Sequence, residues 1–298
     1  MEILTVLYKS AKSIAKQIPY FEKYRDSLAW KVFRHRVALT IEQRQNSTFT
    51  GFLRLPSQFE ALSGPVVDYL TNQQPRSPLR IVVMGCSNGA EAYTIASILV
   101  ARSPGIEFMI DAYDINGDII EKARSACFHI DEVLNNKFLT TEFIQATFDV
   151  DHETYRVKKD VAARVKFHIA DVLSRDLAKH AECCDILFAQ NFLFHLNRKD
   201  AVRAFENLCG LLKPSAVLFA DGMDLGLRQK WTRIRYLVPL DFRIEEIHNE
   251  ARRARAVGWP HQYWGLEPFM TFTNDWRRRY ATIFLKDGGR NTDFLRAR

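Results

Sequence analysis

The sequence predicts an α/β fold built on a doubly wound, mostly parallel sheet, and three observations predict it. Residues 79–84, LRIVVM, form a short apolar, β-branched run of the kind that makes a buried strand. Gly85 and Gly89 then bracket a turn, Gly-Cys-Ser-Asn-Gly, and residues 91–100 return to helical spacing. One strand–helix–strand step later a second apolar run, 108–113, ends on Asp114. A doubly wound sheet builds a nucleotide site from these parts, at the carboxyl end of its first strand.

The same residues narrow the ligand. Glycine lets the backbone approach a ligand because no Cβ stands in the way. An acid at the end of the second strand can accept both hydroxyls of a ribose. No lysine follows the glycines, so the turn is not a P-loop, and the G-x-G-x-x-G pattern is absent. With Ser87 in the turn and Glu91 just behind it, the site suits a ligand with a ribose and an amino-acid tail but no pyrophosphate. S-adenosylmethionine (SAM) is that ligand. The competing reading is an ordinary strand-to-helix turn with a surface Asp.

Residues 46–222 resemble the chemotaxis receptor methyltransferases of the CheR type. Five blocks carry the resemblance in order. They are Thr50-Gly-Phe-Leu-Arg54 with Phe59, then Cys86-Ser-Asn-Gly-Ala-Glu91-Ala-Tyr93-Thr-Ile-Ala, then Ala112-Tyr-Asp114-Ile115-Asn with Glu121-Lys-Ala-Arg-Ser. Gln190-Asn191-Phe-Leu-Phe-His195 and Leu211-Leu-Lys-Pro214 with Leu218-Phe-Ala complete the set. The resemblance implies a class I SAM-methyltransferase (Rossmann-like) sheet of about seven strands. It implies cofactor contacts at Gly85, Ser87, Gly89, Glu91, Asp114, Ile115, Asp171, Val172 and Asn191. Arg54 matches an arginine over the methyl-transfer site, and His195 takes the place of a tyrosine near the transferred methyl. Gln190 stands where the family has arginine, Thr48 where it has asparagine, and Leu55 where it has an acid.

The remaining elements follow in chain order. Residues 3–17 place Ile3, Leu4, Leu7, Ala11, Ile14 and Ala15 on one face, which predicts an amphipathic helix ending before Pro19. Residues 20–45 continue helical, so 1–45 is read as a helical N-terminal segment and 46–298 as the catalytic domain. The first helix is expected to pack on that domain, with a membrane surface as the alternative. Residues 57–75 read as helix then loop, 117–127 as helix with Asp118 early and Lys122 and Arg124 late, and 130–150 as helix. Residues 154–159 alternate like an exposed strand; in the family this region belongs to a small antiparallel subdomain that docks the receptor tail, and here it is brief with no glycine at its turn. Residues 165–170 form a strand leading to Asp171, which either accepts the adenine amine or caps a helix. Strands at 185–189 and 217–220 flank a helix at 197–212, and runs at 236–242 and 280–285 supply the last antiparallel strands. Between them an insertion at about 243–276 carries Trp259, His261, Tyr263, Trp264 and Phe269, a group suited to a ligand pocket or to core packing. Residues 287–298 look frayed.

Composition bounds the partners. The chain has 298 residues, 47% apolar and 26% charged, with a net charge of +7. No apolar run approaches the roughly 20 residues of a membrane span, and Lys9, Lys12 and Lys16 interrupt any signal-peptide pattern. Five cysteines without framework spacing, the adjacent Cys183-Cys184 included, point to reduced thiols in a cytoplasmic protein and to no metal site. Residues 1–45 carry nine Lys/Arg against four Asp/Glu and residues 228–298 fifteen against eight, which points to an anionic partner or substrate. Nucleic acid is the weaker option, since no N-P-P-Y-like motif follows the fourth strand.

Arg54 and His195 leave two chemistries open. A carboxylate acceptor is ionised at neutral pH and needs only an orienting cation, Arg54. A hydroxyl acceptor needs a base, which a positioned His supplies. The first expectation is a SAM-dependent O-methyltransferase that esterifies a small anionic acceptor, with Thr50, Tyr93, Trp259, Tyr263 and Trp264 around it. The family resemblance implies receptor glutamates as the alternative. A SAM-binding signalling module without turnover is the reading from another class.

Overall fold

The structure is a computed structural model; it describes Ser27 and residues 50–73, 78–254, 265 and 267–286. The expected helices of 1–45, the aromatics Trp259, His261, Tyr263 and Trp264, and the tail 287–298 lie outside the described residues.

The chain enters through a turn at 50–55 and an interrupted helix. Pro56–Ala61 (α1) and Val67–Gln73 (α2) are joined by a π-turn over Leu62–Val66, where Gly64 leaves helical geometry and Pro65 removes a donor. The core of the fold then alternates strand and helix: β1 Leu79–Met84, α3 Ala90–Arg102, β2 Phe108–Asp114 and α4 Gly117–Ser125. Asn116 caps α4 by accepting from the Asp118 and Ile119 amides, and Lys122 and Arg124 fall in its last turn.

A small excursion follows. β3 Cys127–His129, α5 Ile130–Val133, α6 Thr141–Thr147, β4 Phe148–Asp151, β5 Thr154–Val157 and α7 Lys159–Ala162 precede β6 Val165–Ile169. The single helix expected over 130–150 is therefore two short helices and a strand. The strand exists because Phe148–Asp151 pairs antiparallel with Thr154–Val157, a contact no local pattern announces. β5 also pairs with β3, giving a three-stranded sheet of order β3-β5-β4. His152 makes its turn in the left-handed region without a glycine.

The main sheet continues with α8 Leu177–His180, β7 Cys184–Gln190, a 3₁₀ turn at Leu193–His195, α9 Arg198–Leu211 and β8 Leu212–Asp221. β8 starts directly at the end of α9 and contains Pro214, which no ladder amide requires because the register against β7 shifts there. α10 Leu225–Ile234, β9 Leu237–Pro239, α11 Ile244–Ala254, α12 Trp276–Tyr280 and β10 Ile283–Lys286 close the described chain. The strand order is β6-β2-β1-β7-β8-β10-β9. Strands β6, β2, β1, β7 and β8 are parallel, and β10 is antiparallel to β8 and β9. This is the seven-strand doubly wound α/β sheet expected.

Both faces of the central strands are covered, which explains why β1 and β7 read as mostly apolar runs, whereas β6 at the edge alternates. Ile81, Val83, Ile110, Phe188 and Phe219 pack with α1 to α3 and the small sheet. Val82, Met84, Leu187, Leu218 and Phe284 pack with α9 and α10 on the other face. β1 is central, and the chain winds away from it first toward β2 and β6, then back toward β7 and β8. That reversal leaves a crevice at the carboxyl ends of β1 and β7, where open α/β sheets bind ligands.

Candidate active site

A cleft of about 840 Å³, its open mouth included, fills this crevice. Its walls come from the ends of four parallel strands: Met84 and Gly85 after β1, Asp114 and Ile115 after β2, Ala170, Asp171 and Val172 after β6, and Gln190 and Asn191 after β7. Ser87 and Glu91 enter from the turn and first helical turn that follow β1, Thr50 and Arg54 from the entry turn, and His195 from the 3₁₀ turn.

The turn after β1 is built around Asp114. The amides of Gly85 and Cys86 donate to the Tyr113 carbonyl at 2.8 and 3.0 Å. The Ser87 amide donates to Asp114 Oδ2 at 2.8 Å, and the Asn116 amide to Oδ1 at 3.0 Å. Each carboxylate oxygen keeps a second lone pair for a ribose hydroxyl. Two glycines are required by geometry. A Cβ on Gly85, at φ +72°, would stand 2.7 Å from the Phe192 ring, and one on Gly89, at φ +86°, 2.8 Å from Phe167. Gly89 thus shapes the turn without lining the cleft. Ser87 and Asn191 also sit at positive φ, so the floor of the cleft is locally strained backbone.

Glu91 reaches the cleft from the first turn of α3. Burial pushes its carboxyl up from 4.5 to about 7; Arg54 opposes the rise and Asp221 adds to it. Asp221 is itself buried and ion-paired with Arg228 at 3.1 Å. Arg54, whose charge reaches Glu91, is held by a strapped turn. The Leu53 amide donates to Thr94 Oγ1 on α3 at 3.2 Å, and Asn136 Nδ2 donates to the Phe52 and Leu53 carbonyls at 2.6 and 2.9 Å. Phe52 anchors the turn in an aromatic nest, edge-on to Phe128 and Phe148 at 4.9 and 5.0 Å.

At the far end Asp171 begins no helix. Its Oδ1 accepts from the Leu173 amide at 2.9 Å, closing a turn that Asn207 Nδ2 steadies by donating to the Val172 carbonyl at 2.8 Å. The N-cap alternative for Asp171 is therefore replaced by an Asx turn on the cleft wall.

Tyr93 is a correction: it does not reach the cleft. It is 2% exposed, donates from its hydroxyl to the Ala123 carbonyl at 2.7 Å, and packs against Phe167 and Phe128. Two residues beyond Glu91 on a helix is about 200° of rotation, which turns the ring into the core. Lining residues not expected from the sequence are Met84, Ala170, Gln190, Phe192 and Leu196. Gln190 is fixed by a buried chain in which its Nε2 donates to Gln58 Oε1 at 2.5 Å and Gln58 Nε2 donates to Thr282 Oγ1 at 2.6 Å. An uncharged residue where the family has arginine was the one available signal for it.

Residues 48–227 match the family described as CheR methyltransferase, SAM binding domain. The chain belongs to this family. Among similar proteins, the "Probable biofilm formation methyltransferase WspC" of Pseudomonas putida is 30% identical over 202 residues, covering 63% of this chain and 46% of that protein. "Chemotaxis protein methyltransferase 2" of Vibrio cholerae is 28% identical over 201 residues, covering 66% of this chain and 65% of that protein. The chain thus spans about half of the first relative and just under two thirds of the second. A solved magnesium protoporphyrin IX methyltransferase from Synechocystis PCC 6803 with bound SAM aligns at 13% identity and a TM-score of 0.31, covering 66% of this chain and 73% of that one. Likeness at that level carries no argument about function.

The cofactor of the CheR family is SAM, and the residues present fit it. The cleft offers three carboxylates, Glu91, Asp114 and Asp171, to a ligand with a sulfonium, an ammonium and hydroxyl donors. The carboxylate on Asp114 is preset by two backbone amides, and that on Glu91 sits in a cavity where only a cation offsets the loss of water. Among the described residues no group of three or more His, Cys, Asp or Glu side chains could hold a metal ion.

Proposed function

We propose that this chain is a SAM-dependent O-methyltransferase that esterifies a carboxylate on a compact anionic acceptor. One observation carries the reading: Arg54 is the single cation on a cleft wall that otherwise presents Glu91, Asp114 and Asp171 among the described residues. A guanidinium strapped in place can orient a carboxylate by two parallel hydrogen bonds.

When bound, SAM would supply a methyl on a positively charged sulfur, to be passed to an acceptor carboxylate oxygen with the C–S electron pair leaving on the neutral thioether. No proton moves, so no general base is needed. The protein's part is alignment, worth on the order of 7–11 kcal/mol when the reacting atoms are held in line. Asp114 would hold the ribose, Glu91 the ammonium of the tail, Asp171 and Val172 the adenine edge, and Asn191 and Ile115 would close the floor. His195, tilted against Phe194 with ring centroids 4.1 Å apart, lines the same cleft.

The test is calorimetry with S-adenosylhomocysteine together with turnover on cell extract, read as a +CH₂ product by mass spectrometry. Asp114→Ala removes cofactor binding. Arg54→Ala keeps cofactor binding at alkaline pH, where Glu91 stays ionised, and loses turnover. The product is alkali-labile, as an ester must be. Unchanged turnover in Arg54→Ala, or an alkali-stable product, defeats the reading.

Receptor glutamate is the second acceptor worth testing. It is favoured by the chemotaxis relatives and by the three-stranded sheet β3-β5-β4 beside the entry turn. Alkali-labile label on a membrane receptor fraction, rather than on small molecules, supports it. All five cysteines are free thiols, which suits a reducing, cytoplasmic setting. Among the described residues no helix is long and apolar enough to cross a membrane.

A further inference from the structure

A second cavity, of about 580 Å³ with its open mouth included, adjoins the cleft. Thr50 and Arg54 line both, so the two spaces meet at the guanidinium proposed to orient the acceptor. The rest of its wall is Gly51, the loop Asn135–Phe138 and Arg253 from the last turn of α11. Lys137 Nζ lies 5.6 Å and the Arg253 guanidinium 6.0 Å from the centroid of the Phe138 ring. One aromatic ring therefore gathers two cations, as its quadrupole favours. Arg54 brings the wall to three cations, and among the described residues no acidic side chain lines it.

The wall is fastened to the catalytic turn. Asn136 donates to the Phe52 and Leu53 carbonyls and accepts the Phe138 amide at 3.1 Å, and the Arg253 Nε donates to the Asn249 carbonyl at 3.3 Å. The cations thus stand at a set offset from Arg54.

Resting on the methyltransferase reading above, we propose that Lys137 and Arg253 bind a second acidic group of the acceptor. The substrate class is a di- or polycarboxylate. One carboxylate is presented at Arg54 for methylation, and another is held in the adjoining cavity by Lys137 and Arg253. Specificity then comes from the spacing of the two acids, and the cationic mouth draws such acceptors in at a rate that falls with added salt.

The probes are α,ω-dicarboxylates from malonate to adipate, with butyrate as the monoanion control. They are titrated by calorimetry into the full chain saturated with S-adenosylhomocysteine. At least one dicarboxylate binds more tightly than butyrate by about tenfold. Lys137→Ala and Arg253→Ala each remove that advantage and leave butyrate affinity, S-adenosylhomocysteine affinity and melting temperature unchanged, while Lys137→Arg keeps it. Dicarboxylate affinity that ignores both alanine variants overturns the proposal, as does failure of every dicarboxylate to bind at millimolar concentration. Failure of S-adenosylhomocysteine itself to bind the unmodified chain would instead overturn the methyltransferase reading.

Discussion

Glu91→Gln separates the two energies that meet in the cleft. In the folded protein without cofactor, burial holds the Glu91 proton until about pH 7, against 4.5 in the unfolded chain. That difference is worth roughly 3 kcal/mol, at about 1.4 kcal/mol per tenfold change in proton affinity. The sign follows from linkage. The folded state binds more protons than the unfolded state between these values, so this contribution to stability is intact below 4.5, is lost as pH rises toward about 7, and is flat above. Glutamine has nearly the same shape and no charge. Without cofactor, the variant should match wild type near pH 4 and exceed it by up to roughly 3 kcal/mol near pH 8. Cofactor binding runs the other way. The ammonium of the amino-acid tail needs the ionised carboxylate, so wild-type affinity for S-adenosylhomocysteine should fall by up to tenfold per pH decrement below about 7. The variant should bind weakly at every pH. Urea unfolding across this range gives the first effect, and calorimetry in buffers of different ionisation enthalpy counts the released proton in the second. Arg54→Ala should move the wild-type window upward, because Arg54 opposes the rise. If wild type and Glu91→Gln show the same pH slope in both measurements, the assignment of this carboxylate is wrong.

Two further outcomes test the frame of the site. Gly85→Ala puts a Cβ 2.7 Å from the Phe192 ring at φ +72°, so it should lower stability by about 1–3 kcal/mol and weaken cofactor binding, read by thermal melts and calorimetry. Arg228→Met leaves Asp221 buried without its ion pair beside Glu91, so it should cost about 3–5 kcal/mol in urea unfolding at neutral pH, with much of the loss recovered in Arg228→Met/Asp221→Asn.

Much of this fold is written in local sequence. β1 and β7 read as strands because each is buried on both faces and so is mostly apolar. The glycine turn and Asp114 could be placed because a positive φ, a close approach and a strand-end acid each demand particular residue types. The stretch 130–150 reads as one helix but ends in a strand, because β4 exists only through its pairing with β5. Tyr93 was misplaced because adjacency to Glu91 in sequence says nothing of the opposite helix face.

By itself, then, the sequence determined the doubly wound sheet, the family and the acid at the end of the second strand, since these depend on residue type at short range. Tertiary structure alone decided that the charge of Arg54 reaches Glu91 and that Lys137 and Arg253 share a wall with Arg54. Those meetings depend on where distant segments cross, and a hydrogen bond from Asn136 to the Phe52 carbonyl leaves no periodic trace in the chain.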